Sequence, residues 1–204
     1  ATEDGTEIQV IPSQNTLDGK VANVPFIIEM DQGDVYQFQA DGDLTGTTVR
    51  SATNDPSAVC KNFAVFGGNK WTRVTGGTDC SNQNPQLPQG YAADQLYEQM
   101  YPLNTWGKDY LAIPYELRKN YMLKIIAAED ETLVTVNSVQ YTIDAGGFET
   151  FVFEEAVSIS SDKPIQVAQY SMTMSCDNNA VNGSGDPFMI MLSPNNQRLS
   201  EINF

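Results

Sequence analysis

Ala1-Thr2-Glu3-Asp4-Gly5-Thr6-Glu7-Ile8-Gln9-Val10 recurs as Ala127-Ala128-Glu129-Asp130-Glu131-Thr132-Leu133-Val134-Thr135-Val136, and the shared pattern is A-x-E-D-x-T-x-(I/V)-x-V. In both stretches an acidic turn opens onto a run that is apolar at every second position, the period of a strand with one face in a core. Two further blocks follow in the same order. Gly33-Asp34-Val35-Tyr36-Gln37-Phe38 answers Gly146-Gly147-Phe148-Glu149-Thr150-Phe151, and Asn54-Asp55-Pro56-Ser57-Ala58-Val59 answers Asp162-Lys163-Pro164-Ile165-Gln166-Val167. Ordered blocks that differ only in loop length indicate two copies of one β module. Each copy starts at an acidic turn, passes a Gly turn and closes on an Asp-Pro or Asp-x-Pro turn into an apolar strand.

The rest of the chain keeps the same texture. Val35–Ala40 and Phe148–Phe153 alternate, and Asp41-Gly42-Asp43, Gly67-Gly68-Asn69, Gly76-Gly77 and Ala145-Gly146-Gly147 supply turn residues between runs. The class is all-β, with two related β-sandwich-like lobes and at most one short helix. That helix, or an ordered loop, falls at Tyr91–Met100, where Leu96 and Met100 stand one helical turn apart ahead of Pro102. The expected organisation is a first module over 1–90 with a Gly/Asn-rich excursion, a connecting segment over 91–120, and a second module over 121–204, the two packed as one unit. Tyr121–Ile126 forms an entering strand ahead of the second acidic turn, with no counterpart ahead of Ala1. A segment cut from a longer polypeptide, or the alternating Leu199–Phe204, would supply it.

Charge narrows the functions. Twenty-six acidic against eleven basic residues give a net charge of −15, which repels phosphate backbones and anionic lipid, so nucleic acid and membranes are poor partners. No run approaches the apolar length of a membrane-spanning helix. The chain contains no histidine, so Ser-His-Asp, Cys-His and His-bearing zinc sites are all excluded.

Three cysteines cannot all pair within one chain. Cys60 and Cys80 flank the polar excursion, and a disulfide between them is expected, the alternative being buried thiols; Cys176 stands apart. Glu3-Asp4 and Glu129-Asp130 read as turn-forming carboxylates or as calcium ligands. Asp177, Asn179 and Asp186 are the best metal candidates, in a loop rich in side-chain oxygen, and calcium is the cofactor that loop would take. Trp71 in the polar excursion and Trp106 with Tyr101 are candidate contact aromatics, although Trp106 reads first as filler between the modules. Glu154-Glu155 fails as a glycosidase pair, because neighbours on a strand point to opposite faces. Lys20, Lys61, Lys108 and Lys163 read as solvated lysines or as isopeptide donors.

Phe63-Ala64-Val65-Phe66-Gly67-Gly68-Asn69, Asp94–Gln99 leading to Thr105-Trp106-Gly107-Lys108, Ala128–Thr132, Ile159–Ser171 and Gly185–Met189 together resemble the N-terminal domain of the IgGFc-binding protein family. The likeness covers most of residues 50 to 195. Where that family often carries Cys-Asp-His, this chain has Ala93-Asp94-Gln95, so the usual cysteine is missing. The resemblance implies a non-catalytic, secreted or cell-surface module of a longer multidomain protein concerned with adhesion or matrix, whose partner is an extracellular protein or glycan. It does not by itself carry over binding to antibody Fc. A carbohydrate-binding module using exposed aromatics and a purely structural stalk repeat are the alternatives.

Overall fold

The structure, a computed structural model, describes residues 1–52, 60–76, 93–177 and 185–197. Every regular element longer than a single 3-10 turn among them is a strand, as the alternation predicts. The chain divides into two units, Ala1–Val65 and Phe66–Phe204. The boundary falls earlier than residue 90, because the hairpin after Val65 belongs with the second unit.

In the first unit β1 (Thr6–Ile11) lies between β2 (Phe26–Met30) and β3 (Thr48–Ser51), antiparallel to both. Thr6, Ile8 and Val10 point inward. Ile8, Val10 and Met30 form the buried cluster, with Ala1, Phe26, Ile28, Phe38, Val49 and Phe63 packed around it.

The second unit starts with the two-stranded sheet of β4 (Phe66–Thr72) and β5 (Asp94–Gln99). A seven-stranded sheet follows, built from β6 (Gly107–Ala112), β7 (Tyr121–Ala127), β8 (Thr132–Val136), β9 (Val139–Ile143), β10 (Phe148–Phe153), β11 (Val157–Ser171) and β12 (Phe188–Met191). Asn137 and Ser138, both at positive φ, make the tight turn between β8 and β9.

The long strand β11 organises this sheet. Its first half pairs with β6 and β8, its second half with β7 and β12, and the register breaks between Ser160 and Ile165. Such a bulge bends the strand and lets it change partners along its length within one sheet. Residues Ile165–Ser171 are buried on both faces. Ile165 and Val167 join Tyr121, Leu123 and Ile125 of β7 in the main core, while Ala168 and Tyr170 face a second cluster holding Leu96, Val74 and Met172.

Tyr91–Met100 does not yield a helix: Asp94–Gln99 is strand β5, and Tyr91 and Ala92 lie outside the described residues. Leu96 alone is buried there, between exposed Gln95 and Tyr97. One apolar anchor at a period of two is satisfied by a strand laid on the second cluster, which overrides the helical spacing of Leu96 and Met100.

Candidate functional site

The repeat is visible atom by atom. The Thr6 hydroxyl donates to the Glu3 carbonyl at 2.6 Å, and that of Thr132 to the Glu129 carbonyl at 2.6 Å. Asp4 Oδ1 accepts Gln32 N–H at 2.9 Å, as Asp130 Oδ1 accepts Ala145 N–H at 3.1 Å. Asp31 Oδ1 accepts Gly5 N–H at 2.9 Å, as Asp144 Oδ1 accepts Glu131 N–H at 3.0 Å. Gly33 and Gly146 take φ of 88° and 73° in the facing turns, a conformation that costs glycine least.

Lysine closes each knot. Lys61 Nζ donates to the carbonyls of Asp4 (2.7 Å) and Gly5 (3.0 Å), and Lys163 Nζ to those of Asp130 (2.6 Å) and Glu131 (3.4 Å). The partner of Asp162–Val167 in the first copy is therefore Cys60–Val65, and not Asn54–Val59, which lies outside the described residues. These carboxylates cap backbone N–H groups, the turn role for them. Of the other candidate isopeptide lysines, Lys108 Nζ donates to the Asp162 carbonyl at 2.6 Å, and Lys20 makes a cation–π contact 5.0 Å over the Phe26 ring.

Asp177 is 2% exposed. Its Oδ2 lies 2.7 Å from Arg118 Nε, and its Oδ1 accepts Lys119 N–H at 2.9 Å. Arg118 Nη2 also donates to the Met172 carbonyl, and a side chain on Gly185 would collide with the same guanidinium. Arg118 thus ties Met172 and Asp177, and Gly185 packs against it; sequence reading missed it, since an isolated arginine carries no motif. Asp186 is exposed and Asn179 lies outside the described residues. Among the described residues no group of three or more acidic or cysteine side chains is arranged to hold a metal.

The expected Cys60–Cys80 disulfide is not the arrangement found. Cys60 is an exposed free thiol, whereas Cys176 is disulfide-bonded and buried in the second cluster. Cys80 lies outside the described residues. Cys60 is the neighbour of Lys61, so its position is fixed by the first knot and not by the polar excursion.

The aromatics separate. Trp106 is half-buried and spends its indole N–H on the Tyr101 carbonyl at 3.0 Å, at the end of the 3-10 turn Leu103–Thr105. Trp71 is 69% exposed. In the β4–β5 ladder Asn69 faces Leu96 and Thr72 faces Asp94, which sets Lys70 and Trp71 together opposite Gln95. This two-against-one bulge turns both outward. On the same face Phe66 and Tyr97 stack with ring centroids 5.1 Å apart and planes 3° from parallel. Gly68 opposes Tyr97, and a Cβ there would stand 1.9 Å from the Leu96 carbonyl oxygen. The hairpin is pinned from below by Leu96 and by a reciprocal pair, Val74 N–H to the Thr173 hydroxyl and Thr173 N–H to the Val74 carbonyl, each 2.9 Å.

A family model described as IgGFc binding protein matches residues 1–204, the whole chain. The chain belongs to the IgGFc-binding protein family. No curated protein and no solved structure matches it. The IgGFc-binding family is one of extracellular binding modules and not a known enzyme family, and no helix among the described residues is long and apolar enough to cross a membrane. Phe66 and Tyr97, exposed and stacked on the outer face of β4–β5, are residues that sequence reading did not single out. The signal for Tyr97 was present in the alternation Asp94–Gln99, had it been read as a strand.

Proposed function

We propose that this chain is a non-catalytic binding and adhesion module of a larger secreted or cell-surface protein, and that it contacts its extracellular partner through the outer face of β4–β5. The observation that carries the proposal is the grouping of Phe66, Trp71 and Tyr97, which are 49%, 69% and 69% exposed, on one hairpin face whose inner side is anchored by Leu96. Aromatic rings held rigid and exposed are the side chains that dominate binding energy at low entropic cost. The reading invokes no cofactor.

A glycan is the second reading, favoured by the parallel Phe66 and Tyr97 rings fringed by Gln95 and Gln99, since flat rings beside amides suit sugar faces. The stalk reading needs no such face. The test is binding of the chain and of its W71A/Y97A variant to immobilised Fc fragment and to mucin glycoprotein before and after removal of its glycans. Binding to either surface that falls at least about tenfold in a variant of unchanged melting temperature supports the proposal, because losing hot-spot rings costs that much. Wild-type binding to neither surface, or equal binding by the variant, overturns it.

A further inference from the structure

The chain sets eleven basic residues against twenty-six acidic ones, and most of its described cations are occupied within the fold. Lys20 and Lys124 lie over the rings of Phe26 and Phe148. Lys61, Lys108 and Lys163 donate to backbone carbonyls. Arg50 donates to the Gln9 side chain, and Arg118 and Lys119 pair with Asp177 and Glu154. Among the described residues only the side chains of Lys70 and Arg73 make no such contact. Both are exposed, Lys70 within β4 and Arg73 directly after it.

Strand alternation sorts the charges of this hairpin by face. On β5, Asp94, Leu96 and Glu98 turn to the inner side, where Leu96 is buried, and Gln95, Tyr97 and Gln99 stand exposed on the outer side. On β4 the bulge sets Lys70 and Trp71 opposite Gln95. Arg73, exposed between half-buried Thr72 and buried Val74, keeps to the side of Trp71. Among the described residues of the hairpin, the outer face therefore carries cations, rings and amides and no carboxylate. In a chain of net charge −15 this separation acts locally, because at physiological salt charges beyond about 8 Å are largely screened. An anion that reaches the face is governed by Lys70 and Arg73.

We propose that the outer face of β4–β5 takes a terminal sugar bearing a carboxylate, at the end of an extracellular glycan. This rests on that face being the contact surface and names its ligand. The Trp71 indole would take the apolar face of the ring, and the Gln95 amide its hydroxyls. The Arg73 guanidinium, whose planar fork matches a carboxylate, would take the anion with the Lys70 ammonium beside it. One carboxylate suits two cations on a small face, whereas a long polyanion would run past it onto a chain that is acidic overall. Flat exposed rings beside amides favour a sugar over an acidic peptide.

The experiment titrates the chain with sialyllactose and with lactose to millimolar concentration at physiological salt, and reads the Trp71 indole and the Lys70–Arg73 amides by NMR. Sialyllactose is expected to bind at least about fivefold more tightly than lactose, since two exposed charge contacts are worth that much. K70Q/R73Q is expected to bring the two sugars level at an unchanged melting temperature. Binding of neither sugar, equal binding of both, or a preference that survives in K70Q/R73Q overturns the proposal. Tighter binding of a heparin fragment or of polyglutamate overturns it in favour of sulfate or of an acidic peptide. Should K70Q/R73Q melt lower, the methyl ester of sialyllactose is titrated into the unaltered chain; weaker binding than the acid supports the proposal and equal binding overturns it. If Fc fragment or mucin glycoprotein is held through Trp71 and Tyr97 and sialyllactose does not compete, the contact surface stands and the acidic sugar falls; if retention does not depend on those rings, both fall.

Discussion

Lys163 Nζ donates to the Asp130 carbonyl at 2.6 Å, and Lys61 makes the matching bond to Asp4 at 2.7 Å in the other unit. The ammonium ties the acidic turn to the chain that leads into the core, and Thr132, 0% exposed, ties it from beneath. K163M is expected to lower stability by about 1 kcal/mol, since the freed carbonyls reach water. T132V, which leaves the Glu129 carbonyl without its buried hydroxyl, is expected to cost about 1–2 kcal/mol. Urea unfolding checks both, and the order of the two is part of the prediction.

The thiols give a covalent check. Exposed Cys60 is expected to alkylate in the native, unreduced protein, and Cys176 only after reduction. A peptide map without reductant is expected to find Cys176 linked to Cys80, the other cysteine of the sequence. Alkylation of Cys176 before reduction would contradict this.

Gly68 sets the close approach of β4 to β5. With a Cβ placed 1.9 Å from the Leu96 carbonyl oxygen, G68A forces the strands apart and is expected to cost at least about 2 kcal/mol, seen as faster exchange at Phe66–Thr72 and Asp94–Gln99. W71A, on the exposed side of the same strand, is expected to shift stability by less than about 0.5 kcal/mol.

Alkaline pH probes the main core. Burial pushes the Tyr110 and Tyr121 hydroxyls up to about 12 from an ordinary 10. The folded state then holds more protons than the unfolded state between those values, so stability falls as pH rises. The contribution is complete below pH 10 and lost through 12, on the order of 2 kcal/mol per tyrosine. Y110F is expected to flatten the alkaline limb of a melting-temperature profile while giving up the hydroxyl bond to the Ile165 carbonyl at 2.6 Å.

Much of the fold was legible because the E-D-x-T turn and the Asp-x-Gly turn recur in both copies, and the threonine bond of the first closes within three residues. Asp4 and Asp31 sit on turns that strands β1 and β2 bring together, so both copies read alike. The lysine was harder, since loops of different length precede Lys61 and Lys163, and the eye settles on Asp-Pro instead of the shared K-x-(F/I)-x-V. The exposed aromatic face was concealed by one misread period at Leu96. Cysteine pairing is fixed by distances in space, which the order Cys60, Cys80, Cys176 does not encode.

The binding face is tested most directly through Trp71, one of two tryptophans in the chain. In a W106F background it is the sole indole, and titration with whichever of Fc fragment or mucin glycoprotein the chain retains reads its emission. The account predicts a blue shift that saturates with binding, as an indole 69% exposed leaves water. Saturable binding with an unchanged Trp71 spectrum would contradict it.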